Sequence, residues 1–177
     1  MIKVGQLAPD FTLTGYIKGE FKNFTLSEVM QNGQWAVVFF YPLDFTFVCP
    51  TEITGFNKYH DEFAEANAQV MGISVDSQHS HRAWVEYELG TLEFPLLSDF
   101  QKQVSDDYDV LFEDPEDGKI ALRGTFIIDP QGVLRYAVVS DKNVGRSVEE
   151  TVRVVKALQT GGMCPVDWEE GEKTLDE

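Results

Sequence analysis

Basic residues are scarce in this chain of 177 residues. It has 14 lysines and arginines against 30 aspartates and glutamates, so its formal net charge is −16 at pH 7. A protein that binds nucleic acid or an anionic membrane needs a positively charged surface. The charge balance therefore argues against both kinds of partner, and the acidic excess is typical of a well-solvated surface.

Long hydrophobic runs are also missing. The apolar stretch at residues 36–41, one of the most hydrophobic in the chain, is much too short to cross a bilayer. Residues 1–13 lack the basic start, apolar run and cleavage site of a secretory signal. A hydrophobic fraction of 43% is nevertheless enough for the core of one globular domain. We therefore expect a soluble, cytoplasmic protein.

Cysteine is limited to two residues, Cys49 and Cys164, which lie far apart in the chain. They are too few for the disulfide framework of a small secreted domain. A structural zinc site normally takes four clustered Cys or His ligands, and His60, His79 and His81 do not supply that spacing. A glycine-rich phosphate loop is absent too. The sequence therefore predicts no metal site and no cofactor, and it favours cysteine chemistry over scaffolding.

Four apolar runs rich in β-branched and aromatic residues predict the strands of a central sheet. Between the first two, Phe56, Tyr59 and Phe63 recur at helical spacing, which predicts a right-handed crossover between parallel strands. The turn at residues 129–132 is short enough to join only antiparallel neighbours, so the sheet is mixed. The pattern predicts an α/β fold with strands at residues 36–41, 70–75, 125–128 and 133–139 and a helix at 51–66.

A final helix is predicted after Ser147, because Ser147 and Glu150 have the spacing of a capping box and apolar residues follow on one face. Gly161 and Gly162 end it. Weaker patterns predict helices around residues 82–89 and 100–108. From residue 161 the chain is polar and has no periodicity, which predicts a mobile C-terminal arm, residues 161–177, attached to a domain of residues 1–160.

Cys49 is expected just after the first of these strands and just before a helix. At a helix start, backbone N–H groups and the positive end of the dipole stabilise a thiolate, and Pro50 suits the first turn. Position alone leaves open a second interpretation, that Cys49 is a small buried hydrophobic residue. The nearby Thr46 offers a hydroxyl, and Pro42 can shield one side of a thiolate, which favours a reactive role.

The segment from Pro42 to Pro50 has the proline, threonine and cysteine spacing of the peroxiredoxin active-site motif. The similarity continues along almost the whole chain, at residues 8–11, 75–77, 123–129 and 145–148. The sequence resembles the typical two-cysteine peroxiredoxins, which include the peroxidase subunit of bacterial alkyl hydroperoxide reductase. This resemblance implies a thioredoxin-like α/β fold, with a mixed central sheet flanked by helices and a C-terminal arm.

The resemblance also implies a role for each residue of the motif. Attack on a peroxide builds negative charge on the departing oxygen, which a fixed guanidinium and a hydroxyl can stabilise. Without the motif, Arg123 could equally well be an ordinary surface arginine. The implied set is Cys49 as the peroxidatic cysteine, Thr46 as a hydrogen-bond partner of peroxide and thiolate, Pro42 as a shield, Arg123 as the stabilising guanidinium, and Glu52 with Arg146 as the supporting charged pair.

Cys164 is flanked by glycine and proline, which predicts an exposed position in the arm. On that basis alone it could be an incidental thiol in a frayed terminus, although an idle exposed thiol is prone to oxidation. The resemblance implies that it is the resolving cysteine, which forms a disulfide with Cys49 of a partner chain. It further implies a hydroperoxide substrate, thioredoxin or a flavoprotein disulfide reductase as electron donor, and a homodimer, and it leaves a decameric ring open.

Two other functions are the alternatives to a peroxidase. A disulfide oxidoreductase of thioredoxin type uses a Cys-X-X-Cys pair, which this chain lacks. A binding or holding protein, such as a chaperone-like ring with regulatory thiols, is the alternative from another class. Hydroperoxide consumption that is lost when the thiols are blocked distinguishes these functions from a peroxidase.

Overall fold

The structure, a computed structural model, describes residues 2–176. The strands are β1 (Thr12–Ile17), β2 (Glu20–Thr25), β3 (Trp35–Phe40), β4 (Ala68–Ser74), β5 (Leu96–Ser98), β6 (Leu111–Asp114), β7 (Gly118–Ala121), β8 (Arg123–Ile128) and β9 (Leu134–Ser140). The helices are α1 (Leu26–Gln31), α2 (Cys49–Lys58), α3 (His60–Glu65), α4 (Gln78–Trp84), α5 (Gln103–Asp107) and α6 (Val148–Thr160). Helix α4 continues into a π-helical turn, Val85–Leu89.

Within this range, seven strands form one mixed sheet in the order β2-β1-β5-β4-β3-β8-β9. The three central strands β5, β4 and β3 are parallel, and the outer pairs are antiparallel. Strands β6 and β7 form a separate antiparallel hairpin. The predicted α/β fold with a mixed sheet is confirmed, including the hairpin of β8 and β9.

Strand β3 is central because both of its faces are apolar. Its side chains alternate between two hydrophobic clusters, one on each side of the sheet. One cluster contains Val37 and Phe39 with residues of α2, α3 and α6, and the other contains Val38 and Phe40 with residues of α1 and α5. A strand buried on both faces needs apolar residues at consecutive positions, which the sequence Trp35–Phe40 supplies. The end of β3 is thereby a rigid support for the loop that follows.

The predicted helix at residues 51–66 is two helices in the structure. Tyr59 leaves helical geometry, with φ −93° and ψ 11°, and separates α2 from α3. Helix α4 begins earlier than the sequence pattern indicated, because the hydroxyl of Ser77 accepts a hydrogen bond from the N–H of Ser80 at 3.2 Å and caps it. None of the helices in the described part of the chain is long and apolar enough to span a membrane.

Helix α6 has only half of the predicted capping box. The Ser147 hydroxyl accepts from the Glu150 N–H, but the Glu150 carboxylate pairs with Arg153 instead of reaching back. Gly161, with φ 67°, ends the helix as predicted. Beyond it, Trp168 is buried, and its carbonyl accepts a hydrogen bond from Arg153 at 3.1 Å. The arm is therefore anchored on α6 of its own chain, an anchor that the sequence pattern did not indicate.

Phe39 and Leu96 pack closely against the backbone at Gly72 of β4, so a substitution at this position tests the packing around β3. A Cβ atom at this position would lie 2.6 Å from Cζ of Phe39 and 3.0 Å from Cδ2 of Leu96. We expect Gly72→Ala to lower the free energy of unfolding by about 1–3 kcal/mol, since two buried side chains would have to shift. Urea denaturation measures the change. A midpoint equal to that of the wild type would show that the Phe39 ring moves aside without cost.

Candidate active site

Cys49 is the first residue of α2, and its side chain is fully buried. Val48 occupies the N-cap position without a side-chain cap, and Pro50 stands in the first turn. The sulfur therefore lies at the positive end of the helix, where backbone dipoles favour a negative charge. This is the position that the sequence predicted for it.

Arg123, at the start of β8, is the polar group that reaches the sulfur. Its Nη1 lies 3.3 Å from Sγ of Cys49 and 2.5 Å from Oε2 of Glu52. Its Nε donates to the backbone carbonyl of Lys142 at 2.8 Å, and only 3% of the residue is exposed. Because both ends of the guanidinium are held, its charge stays fixed beside the thiol.

Arg146, in the loop before α6, binds the other side of Glu52. Its backbone N–H and its Nε donate to Oε1 of Glu52 at 2.9 and 2.8 Å. The rest of its guanidinium donates to the carbonyls of Phe40 and Gly124 at 2.6 and 2.7 Å. Burial lowers the pKa of Arg146, which the Glu52 carboxylate counteracts, and an arginine stays charged even so. Glu52 thus joins α2 to the ends of β3 and β8.

The charges of Arg123, Arg146 and Glu52 do not cancel unless Cys49 carries a negative charge. Two guanidinium groups, from Arg123 and Arg146, share the single carboxylate of Glu52. One positive charge remains in a space closed to water, since all three side chains are buried. A thiolate at Cys49 balances that charge, so the cluster stabilises the nucleophilic form of the cysteine.

Pro42 and Thr46 lie in the loop between β3 and α2. Pro42 is buried and Thr46 is half-buried. The Thr46 hydroxyl donates to the carbonyl of Leu43 at 3.0 Å, so its proton is committed and its lone pairs are left to accept a hydrogen bond. In the described residues no hydrogen bond joins it to Cys49, and its role toward thiolate and peroxide stays a prediction.

Cys164 lies near the C-terminal end of a helix, whereas Cys49 lies at the N-terminal end of one. Its sulfur is 3.4 Å from the Thr160 hydroxyl and 3.6 Å from the carbonyl of Ala157, in the last turns of α6. The C-terminal end of a helix carries the negative end of the dipole, the opposite of the helix start at Cys49. Both cysteines are free, and most of the length of α6, about 14 Å from Val148 to Ala157, separates Cys164 from the site in its own chain.

Several groups that build the site are backbone carbonyls, which the sequence did not indicate. The carbonyls of Phe40, Gly124 and Lys142 orient the two guanidinium groups. A carbonyl carries no residue-specific signal, so only the fold shows its use. Two of the three histidines weighed as metal ligands lie in different surroundings: His79 is exposed beside Phe21, and His81 is fully buried.

A buried cysteine at a helix start, with a fixed guanidinium against its sulfur, defines an enzyme that acts through a thiolate. The chain matches the model of the AhpC/TSA family over residues 4–137. It is 51% identical to a Clostridium pasteurianum protein named as a peroxiredoxin in the rubredoxin operon, over 97% of this chain and 98% of that protein. It is 47% identical to peroxiredoxin-2 of Mus musculus, over 98% of this chain and 89% of the relative.

Solved structures agree with these relatives. The reduced 2-Cys peroxiredoxin of Plasmodium vivax superimposes with a TM-score of 0.90 at 36% identity, over 97% of this chain and 91% of that one. The chain therefore belongs to the AhpC/TSA family of peroxiredoxins, the thiol-dependent peroxidases. The resemblance to two-cysteine peroxiredoxins and the thioredoxin-like fold are confirmed. The roles of the individual site residues stay predictions that the geometry supports.

The contact between Arg123 and Cys49 gives a direct test. We expect Arg123→Ala to lower the second-order rate constant for oxidation of Cys49 by about 100-fold to 1,000-fold, because a fixed donor to the reacting atoms is lost. Arg123→Lys should restore only part of the rate, since a point charge cannot keep both Cys49 and Glu52 bound. Stopped-flow fluorescence with hydrogen peroxide measures the rate.

Arg135→Ala is the matched control, because Arg135 lies on the neighbouring strand β9 with 46% of its side chain exposed. Its rate should equal that of the wild type. An unchanged rate in Arg123→Ala would exclude a part for this guanidinium in the reaction.

Proposed function

We propose that this chain reduces hydrogen peroxide and organic hydroperoxides with Cys49 as nucleophile and Cys164 of a second copy as resolving thiol. The observation that supports it most directly is the 3.3 Å contact between Arg123 and Sγ of Cys49 at the start of α2. The thiolate attacks the terminal peroxide oxygen, the O–O bond breaks, and Cys49 becomes a sulfenic acid. The departing oxygen leaves as an alkoxide or hydroxide, takes up a proton, and is released as alcohol or water.

Arg123 and Thr46 are suited to this step. The Arg123 guanidinium is close enough to stabilise negative charge as it moves from sulfur to the departing oxygen. The free lone pairs of the Thr46 hydroxyl can accept a hydrogen bond from the O–H of the peroxide and so orient it. Pro42, which is buried in the same loop, has no N–H that would compete for the thiolate, as its proposed role as a shield requires.

Resolution follows by condensation. The Cys164 thiol attacks the sulfenic sulfur of Cys49, a disulfide forms and water leaves. A dithiol donor, which we propose to be thioredoxin or a flavoprotein disulfide reductase, then restores both thiols by exchange. The separation of the two cysteines within one chain supports a second copy as the source of Cys164.

A homodimer is supported by the edge of the sheet. Strand β9 is an edge strand that is covered at Leu134 by backbone hydrogen bonds with Gly5 and Gln6, and farther along it Val138 and Val139 are 43% and 46% exposed. Exposed apolar residues on an edge strand favour pairing with the same strand of a second copy. A ring of such dimers and a cytoplasmic location stay predictions from the sequence.

Cys49→Ser tests the nucleophile. We expect it to abolish peroxide consumption and leave the fold intact, because serine is close in size and forms almost no alkoxide at neutral pH. Peroxide consumption in the presence of a dithiol donor is measured, with circular dichroism as the check on folding. Consumption at the wild-type rate would remove Cys49 from the mechanism.

Cys164→Ser is the matched change at the second cysteine, and we expect a different result. One equivalent of peroxide should still be consumed per chain, but turnover with a dithiol should stop because the sulfenic acid lacks its resolving thiol.

The oxidation product of the wild type is identified by intact mass and on a non-reducing gel after one equivalent of peroxide has been added. A disulfide-linked dimer is expected, and an oxidised monomer with an internal disulfide would contradict resolution between two copies.

A further inference from the structure

A second group of buried polar side chains lies beside the loop that joins β3 to α2. His81 of α4 is fully buried, and its Nδ1 lies 2.8 Å from Oδ2 of Asp44 in that loop. Its Nε2 lies 3.1 Å from the backbone carbonyl oxygen of Leu97. His81 therefore connects the loop to strand β5, although it makes no hydrogen bond to the Cys49 site.

The partners of His81 indicate its charge. The Leu97 carbonyl can only accept, so Nε2 carries a proton. Asp44 also accepts from the hydroxyls of Tyr41 at 2.8 Å and Ser80 at 2.7 Å, and these two donors suit an ionised carboxylate. A carboxylate can only accept, so the proton between Asp44 and His81 lies on Nδ1. His81 is then an imidazolium paired with the Asp44 carboxylate.

The loop that this pair holds is strained. Phe45, directly after Asp44, has φ 55°, a left-handed conformation that is unfavourable for a bulky residue. Its ring packs against Trp84 at a centroid distance of 5.7 Å, and 54% of it is exposed. On the other side, the backbone N–H of Asp44 donates to Oδ2 of Asp76 at 2.8 Å. The strained turn thus depends on the fixed position of Asp44.

We propose that His81 is a positioning residue: its imidazolium fixes Asp44, and through Asp44 the strained loop that presents Pro42 and Thr46 to a peroxide at Cys49. The proposal rests on the assignment of Cys49 as the peroxide-reacting cysteine. Without the imidazolium, a buried carboxylate loses its ionic partner, which is unfavourable. The loop then relaxes at Phe45, and Thr46 leaves the place from which it orients the peroxide.

The charge of His81 can be measured in the unmodified protein. Nitrogen-15 NMR of the histidine rings, measured at neutral pH, should show both ring nitrogens of His81 protonated. A single protonated nitrogen at His81 would mean a neutral pair with the proton on Asp44, and it would overturn the proposal. This measurement does not depend on any role of Cys49.

His81→Asn tests the positioning role. Asparagine keeps a donor toward Asp44 but has no charge and is too short to reach Leu97. We expect the rate constant for oxidation of Cys49 to fall about tenfold or more, while disulfide formation with Cys164 keeps its rate or becomes faster. His79→Asn, the same change at an exposed site on the same helix, should alter neither rate.

The remaining outcomes are also decisive. An unchanged oxidation rate in His81→Asn, or an equal fall in both rates, would overturn a specific role in the peroxide step. If His81→Asn does not fold, Ser80→Ala is the second variant, because it removes one hydrogen bond from Asp44. It should lower the rate of Cys49 oxidation without slowing disulfide formation. An unchanged oxidation rate in Ser80→Ala would count against the proposal. If the wild type itself consumes no peroxide, the assignment of Cys49 fails while the NMR result for His81 still stands.

Discussion

The buried carboxylate of Glu52 is the interaction on which the site depends. It accepts from Arg123 on one side and from Arg146 on the other, and all three side chains are shielded from water. Neither guanidinium could remain buried without it, because an unpaired charge in the interior is strongly unfavourable. The carboxylate also cannot neutralise both partners. The positive charge that is left over faces Cys49, so the same arrangement that permits the arginines to be buried favours a thiolate.

The fold brings these groups together from distant parts of the chain. Cys49 and Glu52 are in the first turn of α2, Arg123 begins β8, and Arg146 lies just before α6. The rigid reference is β3, whose apolar faces fix it in the middle of the sheet next to β8. Its last carbonyl, that of Phe40, holds Arg146. The core therefore positions the charges, and the charges position the sulfur.

The parts of the fold that could be predicted from the sequence are those with a continuous apolar signal. Strands β3, β4, β8 and β9 were identifiable because burial on one or both faces leaves long β-branched and aromatic runs. The hairpin of β1 and β2 was missed, because its strands mix polar and apolar residues and its turn is Lys18-Gly19, with φ 48° and 87°, in place of the usual Asn-Gly. The three-residue strand β5 is too short for any periodicity.

The site could be predicted only in part, and for a different reason. Cys49 has a local signal, a cysteine at a strand end before a helix, whereas Arg123, Glu52 and Arg146 are separated in sequence and were found through the family motif. The contacts that orient them, to the carbonyls of Lys142 and Gly124, have no sequence signal. The partner of His81 was also missed, because nothing in the spacing of Asp44 and His81 shows that the loop and α4 meet.

The charge balance also bears on why such a closed site can open. Cys49 is fully buried, so in the proposed mechanism a second thiol reaches its sulfur only after the start of α2 moves. Oxidation of the thiolate to a neutral sulfenic acid removes the negative charge that balanced Arg123 and Arg146. The cluster then keeps a positive charge in a space closed to water, which is less stable than the balanced arrangement. If Cys49 reacts as proposed, the closed conformation is matched to the reduced protein, and oxidation of Cys49 weakens the interaction that keeps the start of α2 closed.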